Sequence, residues 1–292
     1  MNRTRRILKI SENQGESRRH LPGESSVTER PPSAREWNSA AYHRLSSPQV
    51  SWGQKVLSRL ELRGDELVLD AGCGTGRLTA DLLEALPRGR VVAVDLSENM
   101  LHSAREHLSR QFGSQLWLLA SDLLHLPFKR AFDVVVSTAA FHWVLDHDRL
   151  FTNLHDALAP RGWLEAQCGG GPNIARLRRR ADALAATPKF APYFVGFREP
   201  WLFPDAAGAQ ATLQRAGFVD VQTSVEAAPT VLENADHFRE FVSHIIFRRH
   251  LENLPGEQLR AQFIDNLAEQ AAGDDPPFLV DYWRVNFRGR AA

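Results

Sequence analysis

Three glycines, Gly72, Gly74 and Gly76, fall within five residues of the stretch LVLDAGCGTGRLTADLL. One acid, Asp70, stands just before them, and a second, Asp95, closes the next apolar run, RVVAVDL. Glycines spaced like this let the chain turn tightly and let a ligand approach the backbone. The triplet alone does not choose the ligand. A dinucleotide fingerprint, G-x-G-x-x-G, needs its third glycine where Arg77 stands, and a phosphate loop needs a Gly-Lys-Ser/Thr that is missing here. Asp70 narrows the choice: a carboxylate is repelled by a pyrophosphate and attracted by an amino acid's ammonium group. Asp95, ~20 residues past the loop, is placed to accept from both hydroxyls of a ribose.

These groups have to be positioned by regular elements, and the pattern around them supplies these. ELVLDA, RVVAVDL, QLWLLASD, FDVVVSTA and GWLEAQC read as strands. Between them, RLTADLLEAL, SENMLHSAREHL and DRLFTNLHDALAP place leucines at helical spacing, with Ser97 as an N-cap for the second. Strands alternating with helices predict βαβ units, and so a doubly wound α/β fold with a mostly parallel sheet. Upstream, EWNSAAYHRLSSPQVSWGQKVLSRLEL reads as one or two helices. Beyond Gly170 the rhythm changes. Helices over NIARLRRRADALAA, AAGAQATLQRAGF, DHFREFVSHIIFRRHL and PGEQLRAQFIDNLAEQ surround an aromatic loop, KFAPYFVGFREPWLFP, and strands VDVQTSV and FLVDYWRVNF. Gly217 is positioned as a left-handed helix stop.

Composition excludes several classes. Lys plus Arg equals Asp plus Glu at 35 each in 292 residues, so charge gives no case for nucleic acid or a membrane surface. Two cysteines, Cys73 and Cys168, form neither a disulfide framework nor a zinc spacing. No apolar run approaches the ~20 residues of a membrane span, and the reading is of a cytoplasmic protein. Residues 1–36 carry eight Lys/Arg, five Asp/Glu and no aromatic residue, which predicts a disordered tail. One domain is expected over 37–292, with 170–275 forming a lid.

With these motifs in order, the chain resembles the class I S-adenosylmethionine-dependent methyltransferases. VLDAGCGTG matches the first motif of that family, VVAVDLSENML the second, ASDLLHLPF the third, FDVVVSTAAFHWV the fourth and LAPRGW the turn before the fifth strand. The resemblance implies a seven-stranded Rossmann-like sheet and S-adenosylmethionine as cofactor. Backbone groups of Gly72, Cys73 and Gly74 would then approach its methionine part, and Asp70 its ammonium group. Asp95 would hold the ribose, with Leu96 and Met100 against the adenine. Asp122, beside Leu123, would accept from the adenine amino group, Ser137 would face the methionine end, and Tyr42 would cover the cofactor. For Asp95 and Asp122 the bland alternative is helix capping. Arg161 replaces a glycine in the last turn, which is tolerable if its φ is negative.

Ligands of an open α/β sheet bind at the carboxyl ends of its strands, so STAAFHWVLDH faces the reacting group. His142 and Trp143 there resemble the aromatic step of small-molecule carboxyl methyltransferases of the trans-aconitate and juvenile hormone acid types. That resemblance adds Gln49 as a group orienting a carboxylate, and Arg44 as a rough match to an arginine in the N-terminal helix. A carboxylate is ionised at pH 7 and needs no base, so Trp143, Gln49 and His142 would serve as donors or wall. A quinone- or polyketide-type phenol or carbon acceptor would need deprotonation, with His142 as base. Packing is the bland reading of His142 and Trp143. Tyr193, Phe194, Phe197 and Trp201 could wall a substrate, and Arg178–Arg180 could meet an acidic one, with a solvated helix face as the alternative. The expected partner is a small carboxylic acid, without nucleic acid or membrane, and the protein a monomer or homodimer. RNA or protein methylation and a non-catalytic cofactor-binding module are the competing readings.

Overall fold

The computed structural model describes residues 36–292. The tail expected over 1–36 lies outside the described residues except for Glu36. Glu36 is already engaged: its carboxylate accepts from the Ser97 hydroxyl (2.9 Å) and from the backbone N–H groups of Glu98 (3.2 Å) and Asn99 (3.0 Å).

The N-terminal region forms helices α1 (Ser39–Leu45) and α2 (Ser47–Leu57). The alternation that follows is β1 (Leu67–Ala71), α3 (Arg77–Ala85), β2 (Arg90–Asp95), α4 (Glu98–Phe112), β3 (Leu116–Ala120), β4 (Phe132–Thr138), α5 (His147–Ala157) and β5 (Leu158–Gly169). Then come α6 (Ala175–Ala185), α7 (Ala206–Arg215), β6 (Phe218–Ala227) and β7 (Thr230–Val231). The chain closes with α8 (Ala235–Phe241), α9 (Arg248–Leu251), α10 (Glu257–Ala272), β8 (Leu279–Val280) and β9 (Trp283–Ala291).

Seven strands make one sheet in the order β3-β2-β1-β4-β5-β9-β6. Neighbours from β3 to β5 pair in parallel, whereas β9 lies antiparallel to both β5 and β6. One face packs on α5 and α7 through Leu150, Phe151, Leu154 and Leu213. The other packs on α2, α3 and α4 through Val56, Leu78, Leu82, Leu101 and Leu108. A third apolar cluster joins Ala41, Leu45 and Trp52 to residues of the C-terminal region, among them Phe190, Trp201, Phe241 and Phe263. Among the described residues no helix is long and apolar enough to cross a membrane.

Local chemistry explains the boundaries. Ser97 caps α4 by accepting from Met100 N–H (3.3 Å), and Asp146 and Asp205 cap α5 and α7 in the same way. Gly217, φ +96°, stops α7. The helix expected over 236–251 is instead broken by a π-wound segment, Val242–Ile246, where Phe247 N–H reaches the Val242 carbonyl at 2.7 Å. The strand expected over 278–287 divides at Asp281, whose carboxylate leaves the sheet to accept from Arg176 N–H (2.7 Å) at the start of α6. Arg161 adopts φ +66°, so the condition under which an arginine is tolerated in that turn without strain is not met. A side chain in that region costs ~1–2 kcal/mol.

Candidate active site

The carboxyl ends of β1, β2 and β4 and the loop after β1 meet at one edge of the sheet. Gly72 and Cys73 donate their N–H groups to the Val94 carbonyl at 2.8 and 3.0 Å, which folds the loop across the end of β2. Gly72 has φ +87°, and a Cβ there would lie 2.3 Å from the Ala140 Cβ, so only glycine fits. Gly76 has φ +84°, and a Cβ there would meet Leu108 Cδ1 at 2.6 Å, so α3 starts tight against α4. Asp95 accepts from Gly74 N–H (2.8 Å) and Ser97 N–H (2.9 Å). Burial raises its pKa, and the N–H groups of Ser97, Gly74 and Leu96 oppose that. A carboxylate has about four lone-pair directions, so both bonds leave capacity for a diol. The fit to an adenosine-bearing amino acid therefore stands on a bare glycine cradle with an acid at its rim.

The other expected cofactor residues are placed unevenly. Asp70 is buried, accepts from the Thr79 hydroxyl (2.6 Å), and is pushed by burial to a pKa of about 7. Asp122 caps the turn after β3, accepting from Leu124 N–H (2.9 Å), while its side chain stays 41% exposed. Leu96 is exposed, whereas Met100 and Leu123 are buried. Ser137 is buried beneath the loop, its hydroxyl donating to the Ala71 carbonyl at 2.6 Å. Burial pushes the Cys73 thiol well up, so it is no nucleophile.

Tyr42 links this edge to an enclosed cavity. Its ring is 3.9 Å from where a Gly74 Cβ would stand, and burial pushes its phenol up to about 12. Tyr42, Gln49, His142 and Trp143 all line the cavity, although they come from α1, α2 and the turn after β4. His142 Nδ1 accepts from Gly169 N–H at 3.4 Å, and the His142 carbonyl accepts from Leu202 N–H at 2.9 Å. An Nδ1 that accepts leaves the ring proton on Nε2. Burial, then Arg284 and His147, drive the His142 pKa well below its ordinary value, so the ring is a neutral donor. Trp143 is held between Trp37 (5.2 Å between centroids) and Trp201 (5.9 Å). Gln49 Oε1 is buried without a partner.

Sequence reasoning missed Arg284. It is 2% exposed, lines the cavity, and its Cζ lies 4.2 Å from the ring centroid of Trp52. Its Nε and Nη2 have no hydrogen-bond partner. Being antiparallel, β9 brings its first residues to the same edge as the carboxyl end of β5, with Arg284 opposite Gly169. An arginine at the head of a distant strand carries no local signal of this.

Several expectations need correction. Arg44 is exposed and pairs with Glu240 instead of entering the cavity. Of the four aromatic residues expected to wall a substrate, Trp201 lines the cavity. Phe194 and Phe197 pack around His250 at a separate surface hollow, and Tyr193 lines neither. Phe203 lines the cavity with Trp201, their rings 5.8 Å apart and 14° from parallel. Within the run at 178–180, Arg180 is held by both oxygens of Asp274 (2.9 and 2.6 Å) and Arg178 lies over Phe203. Ala139 (φ +56°) and Ile174 (φ +49°) line the cavity in strained conformations, as residues at functional sites often do.

Residues 68–162 match the family model of a methyltransferase domain. Trans-aconitate 2-methyltransferase of Variovorax paradoxus is 37% identical over 132 residues, 45% of this chain and 49% of that protein. The protein of the same name from Methylobacterium radiotolerans is 29% identical over 251 residues, 83% of this chain and 91% of that one. Over residues 68–162 the chain is therefore similar to methyltransferase domains, and over most of its length to trans-aconitate 2-methyltransferases. The fold of this methyltransferase is also that of Haemonchus contortus phosphoethanolamine N-methyltransferase 2, solved with S-adenosylhomocysteine. That match has a TM-score of 0.56 and 18% identity, covering 87% of this chain and 56% of that one.

Proposed function

We propose that the methyltransferase transfers a methyl group to a carboxylate oxygen of a small acid. One observation carries this reading: among the described residues lining the cavity none is acidic, and the ionised group is a buried guanidinium without an acceptor. A buried cation without a counter-charge is costly, and an anionic acceptor relieves it. S-adenosylmethionine, when bound, supplies a methyl group on a sulfonium. The carboxylate oxygen forms the new bond to carbon, the S–C electron pair stays on sulfur, and no proton moves. The task of the residues is therefore orientation and exclusion of water.

Within this reading Asp95 holds the ribose and the loop at Gly72–Gly74 receives the methionine end. Asp122, with Leu96, Met100 and Leu123, borders the adenine. Tyr42 separates cofactor from acceptor. His142 Nε2–H donates to the carboxylate, and the indole of Trp143 and the amide of Gln49 border it, so that one oxygen lone pair stays free for the methyl group. The neutral His142, its Nδ1 already accepting, is better set to donate than to take a phenol's proton. The C-terminal region from about 170 to 275 acts as a lid, its π-wound segment bringing Ile245 and Ile246 to the cavity wall. π-Bulges recur at functional sites. The relatives' name points to an acid as well.

The test follows the label from methyl-labelled S-adenosylmethionine into an extract of small metabolites, with RNA and protein alongside. Label in small acids that mild base releases as methanol is the expected result. Base-stable label, or label in RNA or protein, overturns the carboxylate reading.

A further inference from the structure

The cavity joins an apolar wall, made by Trp52, Trp143, Trp201, Phe203, Ile174 and Ile246, to the polar side chains of Gln49, His142, Asn173 and Arg284. Trp201 and Phe203 stack on one another in the apolar part. Other arginines close to this region are spent elsewhere. Arg44 pairs with Glu240, Arg180 with Asp274, and Arg248 with Glu252 while stacking on the outer face of Trp37. Arg284 is the lone guanidinium or ammonium among the described lining residues.

Its placement is specific. Arg284 sits between Gly169 on β5 and Glu226 on β6 in the sheet register. Glu226 turns to the Gln167 amide (3.2 Å), the Asn286 amide (3.2 Å) and Arg59 (3.6 Å), and leaves Arg284 unpaired. The guanidinium lies over the Trp52 ring, its Cζ 4.2 Å from the centroid. The two unpartnered nitrogens, Nε and Nη2, form the edge that grips a carboxylate through two parallel hydrogen bonds.

We propose that the acceptor is a monocarboxylic acid with an apolar body, and that the Nε/Nη2 edge of Arg284 is the specificity determinant that reads its charge. The proposal rests on the carboxylate reading above. A second or third carboxylate, such as trans-aconitate carries, would be desolvated against indole and isoleucine with no cation to meet it. Arg284 also separates substrate from product. The acid carries the charge that the guanidinium binds, and the neutral ester does not. Because this attraction is present before transfer and fades along it, its loss falls on KM more than on kcat.

The full-length protein saturated with S-adenosylhomocysteine is titrated calorimetrically with benzoate, cinnamate, indole-3-acetate, their methyl esters and trans-aconitate. At least one monoacid is expected to bind about tenfold or more tightly than both its own ester and trans-aconitate. Arg284→Met reduces that acid to the level of its ester, a loss of about tenfold or more, and Arg284→Lys falls between, since an ammonium cannot reproduce the two-bond edge. In methyl transfer, Arg284→Lys raises KM with kcat held within a few-fold. If trans-aconitate binds more tightly than every monoacid, or acids bind no better than esters, the proposal fails while base-labile methylation still stands. If Arg284→Met does not fold, the acid-to-ester ratio of the parent and the KM of Arg284→Lys decide. A base-stable product in the labelling experiment removes the carboxylate reading itself.

Discussion

On the loop side of the cleft, Asp70, Asp95 and Asp122 stand at or just past the ends of β1, β2 and β3. On the cavity side the described lining residues hold no carboxylate, and Arg284 is unpaired. The two sides are also assembled differently. The acids come from three successive strand ends, whereas the cavity draws on α1, α2, the turn after β4, the loop before α7, the π-wound segment and β9. One side suits a cationic cofactor and the other an anionic acceptor. On the proposed carboxylate reading, transfer would convert two opposite charges into two neutral groups, which burial from water favours.

The largest expected effect breaks the acidic side. Asp95→Asn removes the charge proposed to receive the ribose diol and weakens the bonds from Gly74 and Ser97 N–H. Affinity for S-adenosylhomocysteine, measured by calorimetry, should fall ~100-fold, as expected for two charge-assisted hydrogen bonds. An unchanged affinity would remove Asp95 from the ribose.

Asp70 gives a pH signature on the same side. Its folded pKa is raised to about 7, so its contribution to stability is fully present below the ordinary carboxylate range and is lost as pH rises through 7. The melting temperature of the free protein should therefore carry a penalty at pH 8 that Asp70→Asn relieves. A bound ammonium favours the ionised form, so affinity for S-adenosylhomocysteine should rise by up to about tenfold between about pH 6 and 8. Asp70→Asn should flatten that slope, and a slope that survives would separate Asp70 from the ammonium group.

His142 sharpens the cavity side with a smaller effect. His142→Gln keeps a donor but no base, and kcat should fall by less than about tenfold. A general base would cost about 10²–10⁴-fold on removal, far more than a donor. The smallest change is expected at the rim shared by both sides. Glu36→Ala removes the cap that ties the N-terminal segment to α4 and should cost about 1 kcal/mol in thermal unfolding, with little change in kcat.

The same contrast explains what could be read from the sequence. The sheet, its parallel part and the glycine loop follow from local signals: short apolar runs, helical leucine spacing, glycines and acids at strand ends. His142, Trp143, Tyr42 and Gln49 were legible through their motifs and do line one cavity. Arg284 was not, because its position depends on β9 running antiparallel between β5 and β6. Arg44 was misplaced for the converse reason: α1 lies where expected, but that residue faces Glu240 on the surface. The break of the 236–251 helix was hidden because Ile245 and Ile246 fit an apolar helical stripe just as well as a cavity wall.

The central claim is that the acceptor arrives already ionised and the cavity supplies no base. The proton balance of turnover tests it most directly, using the acceptor found by labelling in a weakly buffered assay with a pH indicator. Carboxylate methylation should release no proton for each methyl group transferred. Release of one proton per methyl would show that the acceptor is deprotonated in the site, and would contradict the account.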